Sequence, residues 1–237
     1  METKFGPGRH RFGRNIYKDM CDEFRGEEFT RPPPPLEGWS AHHTPGTKLV
    51  TFSREEISGI KAVALAELKF ENPPQADEAV TFADCFITEL LMERNGAVMH
   101  TDMYLVDKGI ELKNFRLYAT EDILPPGATM DASSLEAQWQ RRHRLYDGPS
   151  ILHLEDDLMC HLRDLTEEVD VDEDWVVWVA DWIHYLEHTE YVRWSLALQD
   201  HVLPLDEIET ETDLLTPYEI DVSSQSSEEW RRQTSKD

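Results

Sequence analysis

The chain has 237 residues, 40% of them hydrophobic and 10% aromatic, with 23 Lys and Arg against 48 Asp and Glu, a formal net charge of −25. That length predicts one domain with tails and enough apolar mass for a real core. The charge disfavours phosphate backbones over most of the surface and favours basic partners or metal ions. Cys21, Cys85 and Cys160 are odd in number, far apart and form no C-x-x-C. This argues against a disulfide framework or a zinc ribbon, and for reduced thiols in an intracellular compartment. No stretch approaches the roughly 20 consecutive apolar residues of a membrane span, and no secretory apolar core follows Met1.

Residues 1–18 reverse the charge trend, with Lys4, Arg9, Arg11, Arg14 and Lys18 against Glu2 alone. Such a stretch reads either as an organelle transit peptide or as a basic arm that docks on an acidic partner. Gly6, Pro7, Gly8 and Gly13 make it a poor amphipathic helix. A short helix is predicted over 15–27, with Ile16, Met20 and Phe24 on one face. Pro32 to Pro35 end it.

Residues 36–43 and 48–54 flank the turn Thr44-Pro45-Gly46-Thr47 and predict a hairpin. Gly59 marks a second turn, and residues 60–71 read as a strand stopped by Asn72-Pro73-Pro74. Residues 79–93 are extended, with Val80, Phe82, Phe86 and Ile87. Asn95-Gly96 is the strongest short hairpin signal, because a type I′ turn needs positive φ at both central residues. Residues 97–106 return, Asp107-Lys108-Gly109 turns, and residues 110–119 complete a meander of about six antiparallel strands.

Residues 121–150 read as a loop with Pro125-Pro126-Gly127 and a basic helical turn over 134–146 that carries Arg141, Arg142, His143 and Arg144. A helix pair follows. Leu152, Leu158, Leu162 and Leu165 stripe the first helix, and Trp175, Trp178, Val179, Trp182, Ile183 and Leu186 stripe the second. Asp172 is the expected N-cap of the second helix, with carboxylates in its first turn. That helix can run through Tyr191, Trp194 and Leu198 to Val202, and Pro204 stops it. From Glu155 to Glu190 there are 13 acids against one base, Arg163. Residues 205–237 are acidic, then Ser-rich, and read as a mobile tail. A meander followed by two long helices predicts an α+β fold with one sheet face under helices.

His184-Tyr185-Leu186-Glu187-His188 matches H-x-x-E-H. Two His at i and i+4 share a helix face, so a zinc hydrolase with Glu187 as general base is the catalytic alternative. A helix whose His residues sit at its solvent boundary explains the same residues. His42 and His43 point to opposite faces of a strand and chelate poorly together. Asp170, Asp172 and Asp174 resemble part of an EF-hand, but Trp175 and Asp181 stand where Gly and Glu belong. No G-x-S-x-G, Walker A or G-x-G-x-x-G is present. The Trp series reads as core or subunit interface before it reads as a ligand cage.

The segment Leu186-Glu187-His188-x-Glu190-Tyr191, followed by Trp194, resembles the last helix of the mitochondrial acidic matrix protein (mitochondrial glycoprotein) family, the complement globular-head-binding protein type. Leu154-x-Asp156-x-Leu158-Met159-x-x-Leu162 resembles its penultimate helix, and the acidic break at Val171-Asp172 corresponds. Trp39, the strand ending in Asn72-Pro73-Pro74, and the meander follow in the family's order. The resemblance covers residues 14–203, most specifically in the last 50 of them. It leaves residues 1–13 as a basic N-terminal arm and 204–237 as an acidic, Ser-rich tail beyond the family's usual end.

The resemblance implies a twisted antiparallel sheet of about seven strands, an N-terminal helix, two long C-terminal helices and a ring-shaped trimer. It implies no catalysis and no cofactor. The expected role is a mitochondrial matrix adaptor or chaperone-like protein for basic proteins in ribosome biogenesis, translation or RNA processing. A purely structural subunit of a large mitochondrial assembly is the further alternative. Subunit or core anchors would be Trp175, Trp178, Trp182, Tyr185, Leu186, Tyr191 and Trp194. The acidic partner-binding surface would be Asp156, Asp157, Glu167, Glu168, Asp170 and Glu173. Partners would be basic mitochondrial ribosomal or RNA-processing factors and related subunits of a homo- or heterotrimer.

Overall fold

The computed structural model describes residues 7–25, 31–68, 85–106, 109–124, 128, 130–137, 144–146, 148 and 151–202. Several features predicted above lie outside them: the stop at Asn72-Pro73-Pro74, the start of the strand at 79–84, the turn residues Asp107 and Lys108, Arg141 to His143, and the tail from Pro204. The chain forms two compact units, residues 31–187, and residues 1–30 with 188–237.

Among the described residues the first unit is built on one antiparallel sheet of six strands lying side by side in sequence order. They are β1 (Trp39–His43), β2 (Leu49–Ile57), β3 (Ile60–Glu67), β4 (Cys85–Arg94), β5 (Ala97–Val106) and β6 (Gly109–Ala119). The meander follows from tight turns. Asn95 and Gly96 have φ of 55° and 78°, and Ser58 and Gly59 have 53° and 77°. These are the double positive angles that two-residue I′ hairpins require. Between Asp102 and Met103 the β5–β6 register shifts, leaving Lys113 as the extra residue of a bulge, and Lys113 Nζ lies 3.3 Å from the centroid of Tyr104.

After the sheet come short helices α2 (Thr120–Ile123) and α3 (Ala132–Ala137), a 3₁₀ turn (Ile151–His153), α4 (Asp156–Glu167) and α5 (Glu173–Val202). One sheet face buries Val50, Phe52, Ala64, Phe86, Leu90 and Met103 with Trp175, Trp178, Val179, Ile183 and Leu186 of α5. Trp39 and Trp175 meet at 5.4 Å, and Phe52 meets Trp178 edge-on at 5.3 Å, geometries that add to plain area burial. Trp178 Nε1 donates to the Pro34 carbonyl at 2.9 Å, so the indole loses no hydrogen bond on burial. The other face buries Val63, Leu65, Leu91, Val98 and Tyr118 with Ile123, Leu124, Met130 and Leu135. β3 is apolar and buried from Ala62 to Ala66, with its charges confined to exposed Lys61 and part-exposed Glu67, as a centrally placed strand covered on both faces needs.

The second unit pairs the C-terminal half of α5 with α1 (Pro7–Arg25). The helix begins eight residues earlier than the reading of 15–27. Pro7 does not prevent this: it stands in the first turn, where its missing N–H would be unpaired in any case. Of the expected face of Ile16, Met20 and Phe24, Met20 is buried, in a stripe with Gly13, Tyr17 and Cys21, while the side chain of Phe24 lies outside the described residues. Ile16 is half-buried, because the stripe follows 13, 17 and 20 at helical spacing. Burial, with Cys21 beside it, pushes the Tyr17 hydroxyl up to about 12.

Candidate acidic docking face

Helix α4 and its link to α5 present a face dominated by carboxylates. Glu155, Asp156, Asp157, Asp164, Glu167, Glu168, Asp170, Asp172, Glu173 and Asp174 are all exposed, and Arg163 stands alone among them. The geometry follows from which residues of α4 reach the core. Leu162, Thr166 and Val169 are buried, a line at i, i+4 and i+7. Leu158 and Leu165 lie to one side of that line and are 46% and 37% exposed. The stripe predicted from four leucines is therefore only partly a core stripe. Asp157, Asp164 and Glu168 form the next row out on the helix, so an apolar strip is edged by charge.

The link between the helices is specified locally. Asp170 takes a φ of 56°. Its N–H reaches the Glu167 carbonyl at 3.0 Å, and the Val171 N–H reaches the Thr166 carbonyl at 3.2 Å. This pair of bonds closes the helix end in a left-handed cap, a conformation Asp tolerates better than most residues. Asp172 then accepts from the Trp175 N–H on Oδ1 at 2.9 Å and caps α5, as predicted.

Each predicted anchor has a defined place. Trp175, Trp178 and Leu186 are buried, Trp182 and Tyr185 are half-buried, and Trp178, Trp182 and Tyr185 form an edge-to-face series. Tyr191 is half-buried and donates to Asp19 of α1. Trp194 is 58% exposed, with Tyr191 6.1 Å away, so it serves no core within its own chain. Among the predicted surface acids, Asp156, Asp157, Glu167, Glu168 and Glu173 face solvent. Asp170 is also exposed, but its carboxylate is bound by the guanidinium of Arg54, so its charge is spent within the chain. Asp170 and Asp172 are held by Arg54 and by the α5 N-terminus, which leaves no EF-hand arrangement there.

His184 meets Phe86 edge-on at 5.4 Å, while His188 Nδ1 lies 3.6 Å from Glu23 Oε2. Among the described residues no three His, Cys, Asp or Glu side chains converge as a metal site. His43 Nδ1 lies 2.9 Å from the Leu49 carbonyl oxygen, and His42 points to the opposite, exposed side of β1. Among the described residues no helix is long and apolar enough to cross a membrane.

A polar network that the pattern reading missed lies on the second sheet face. His100 Nε2 is 3.2 Å from Asp102 Oδ1 and 3.3 Å from Glu89 Oε2. Arg116 donates through Nη2 to Asp102 Oδ2 at 2.6 Å, and Asn114 Nδ2 donates to the same oxygen at 2.9 Å. His100 is fully buried, and Glu89 and Arg116 nearly so. Burial opposes charge on His100, yet hydrogen bonds and the charges of Asp102 and Glu89 hold it above its ordinary 6.5. Burial works against the Asp102 carboxylate too, but bonds from His100 and Asn114 and the charges of His100 and Arg116 hold it below 3.8. Two carboxylates against one guanidinium leave one negative charge, which a protonated His100 cancels. The signal was in the alternation: cross-strand partners Glu89 and Asp102, and His100 and Arg116, place polar residues on a face that is otherwise apolar.

No curated protein sequence matches the chain. Among solved structures it is similar to a hypothetical protein of unknown function from Leishmania major, described as a sequence homologue of human p32. That match has 19% identity and a TM-score of 0.63, and covers 80% of this chain and 97% of that one. It is also similar to the p22 protein of Trypanosoma brucei, with 17% identity and a TM-score of 0.65, covering 83% of this chain and all of that one. These likenesses show a shared fold over about four-fifths of this chain. The mitochondrial glycoprotein family profile matches residues 27–202, well over half the chain. The acidic helix pair and the meander agree with that match: this chain is a member of the mitochondrial glycoprotein family and a mitochondrial protein.

Proposed function

We propose that the chain is a non-catalytic, acidic, ring-trimeric adaptor of the mitochondrial matrix. It binds basic segments of proteins in ribosome biogenesis, translation or RNA processing. The observation that carries this reading is the α4 face, an exposed row of carboxylates beside the part-exposed Leu158 and Leu165. A basic amphipathic helix fits it, with apolar residues on the leucine strip and Lys or Arg on the flanking acids. Exposed carboxylates act mainly on encounter rate and partner choice, so binding should be salt-sensitive. Exposed Trp194 supports the assembly, since a large indole half in water is a natural subunit contact.

The test is a titration of a cationic amphipathic peptide against the intact protein and against a variant carrying Asp156→Asn, Asp157→Asn, Asp164→Asn, Glu167→Gln and Glu168→Gln. The variant should bind at least about tenfold more weakly at low salt, and the difference should close near 1 M NaCl, where the Debye length is about 3 Å. Light scattering should return three copies of the 27.6 kDa chain. A monomer whose peptide binding ignores both the substitutions and the salt would refute the reading.

A further inference from the structure

Helix α1 carries its own charge pattern, opposite in sign to the rest of the protein. Arg11, Arg14 and Lys18 recur at i, i+3 and i+7, so they share one helix face, and all three are exposed. Among the described residues no carboxylate pairs with them. Phe12, next to this face, is 51% exposed. The first turn of α1 contains no acid to complement the positive end of its dipole. In a chain of net charge −25, three unanswered cations in one row are an interaction surface.

We propose that the occupant is the chain's own acidic stretch, residues 205–221. It holds Asp206, Glu207, Glu209, Glu211, Asp213, Glu219 and Asp221, and no Lys or Arg. The geometry of the second unit brings the point where this stretch leaves α5 close to α1. Arg9 Nη2 donates to the His201 carbonyl at 2.9 Å, Tyr191 donates to Asp19, and His188 lies 3.6 Å from Glu23. The two helices are thus antiparallel, and α5 ends at Val202, level with the N-terminal part of α1 on its Arg9 side, with the cationic row round the helix from it. From Arg11 to Lys18 the helix rises only about 10 Å. An extended segment advances about 3.3 Å per residue, so residues 203–213 span the row with length to spare. Leu205, Ile208 and Leu214 supply apolar side chains for Phe12.

A free polyanion such as RNA has the same charge complementarity, but it must approach against the field of the whole molecule. The tethered segment is present at an effective concentration of order mM, so individually weak ion pairs suffice. Docked there, it covers a cationic face and leaves the α4 carboxylates as the exposed charge. Its release would expose a basic surface on an acidic adaptor. This inference stands apart from the peptide-binding role of α4 and survives if that role fails.

The test uses the full chain and zero-length carbodiimide coupling, read by mass spectrometry, because Lys18 is the one amine of the row. Lys18 should couple to carboxylates within 206–213, and 1 M NaCl should suppress the coupling. Replacing Arg11→Ser with Arg14→Ser should lower the yield about fivefold, given the modest worth of two exposed ion pairs. A second variant, with Glu207→Gln, Glu209→Gln, Glu211→Gln and Asp213→Asn, leaves α1 untouched. In it, a labelled oligouridylate should gain salt-sensitive binding that the parent lacks. Coupling of Lys18 only to carboxylates outside 205–221 would overturn the proposal. So would coupling indifferent to both arginines, or a parent that binds the oligouridylate as tightly as the second variant.

Discussion

Replacing Arg116 with Met removes the one guanidinium in the His100 network. The Arg116 side chain is 4% exposed and bonds Asp102 through Nη2 at 2.6 Å and Nη1 at 3.3 Å. Removing one partner of a buried ion pair costs about 3–5 kcal/mol, because the other charge stays buried and less compensated. Here Asp102 keeps Asn114 at 2.9 Å and His100 at 3.2 Å, so the loss should sit at the low end, about 3 kcal/mol. For a chain of this size that lowers Tm by ~6–12 °C. The assay is thermal and urea unfolding by circular dichroism, at one fixed protein concentration because association itself shifts Tm. Asp102→Asn and the double variant complete a cycle. The double variant should be less destabilised than the sum of the two singles by at least about 1 kcal/mol, since neither charge is then left alone. A loss under about 1 kcal/mol for Arg116→Met, with additive singles, would refute the view that these charges form one unit.

The same network sets a pH dependence. His100 is held above 6.5, so its stabilisation is complete below that value and fades as pH rises through the raised one. Asp102 is held below 3.8, so its share is complete above 3.8 and fades as pH falls through the lowered value. Unfolding midpoints of the parent should therefore fall, as pH rises from about 6.5, more than those of His100→Gln, and parallel profiles would count against the assignment. Trp175→Ala empties a fully buried site and should cost about 3–5 kcal/mol in urea unfolding. Trp194→Ala, at a 58% exposed position, should leave unfolding of the single chain within about 0.5 kcal/mol while weakening self-association in sedimentation velocity. Asp172→Ala removes the α5 cap and should cost about 1 kcal/mol, measured the same way.

Much of the fold was legible because its signals are short-range. Asn95-Gly96 can only be a tight turn between two alternating runs, and it is one. The aromatic spacing from Trp175 to Leu186 named the buried face of α5 before any sheet was known. Where the reading slipped, partners distant in sequence decided the matter. Leu158 and Leu165 belong to a helical pattern, yet the side of α4 that reaches the core runs through Leu162, Thr166 and Val169. Asp170 counts as surface charge in the sequence, but Arg54, 116 positions away, binds it. Pro7 and Gly13 read as helix breakers, whereas first-turn geometry accommodates Pro7, and Gly13 lies in the buried stripe of α1.

The sequence by itself determined the strands of the meander, their tight turns, the two C-terminal helices, the Asp172 cap, the acidity of the helix pair and the family resemblance. All of these are local in the chain or additive over it. The short helices at Thr120–Ile123 and Ala132–Ala137 read instead as loop and as part of a later helical turn. Only the tertiary structure decided which charges remain exposed and which are paired. It brought Glu89, His100, Asp102 and Arg116 from three strands into one buried network, and it packed the C-terminal half of α5 along α1, with the His201 carbonyl held by Arg9. The physical reason is that a carboxylate's role depends on what lies within a few ångströms of it and on how much water remains, and both are settled by packing between segments far apart in sequence.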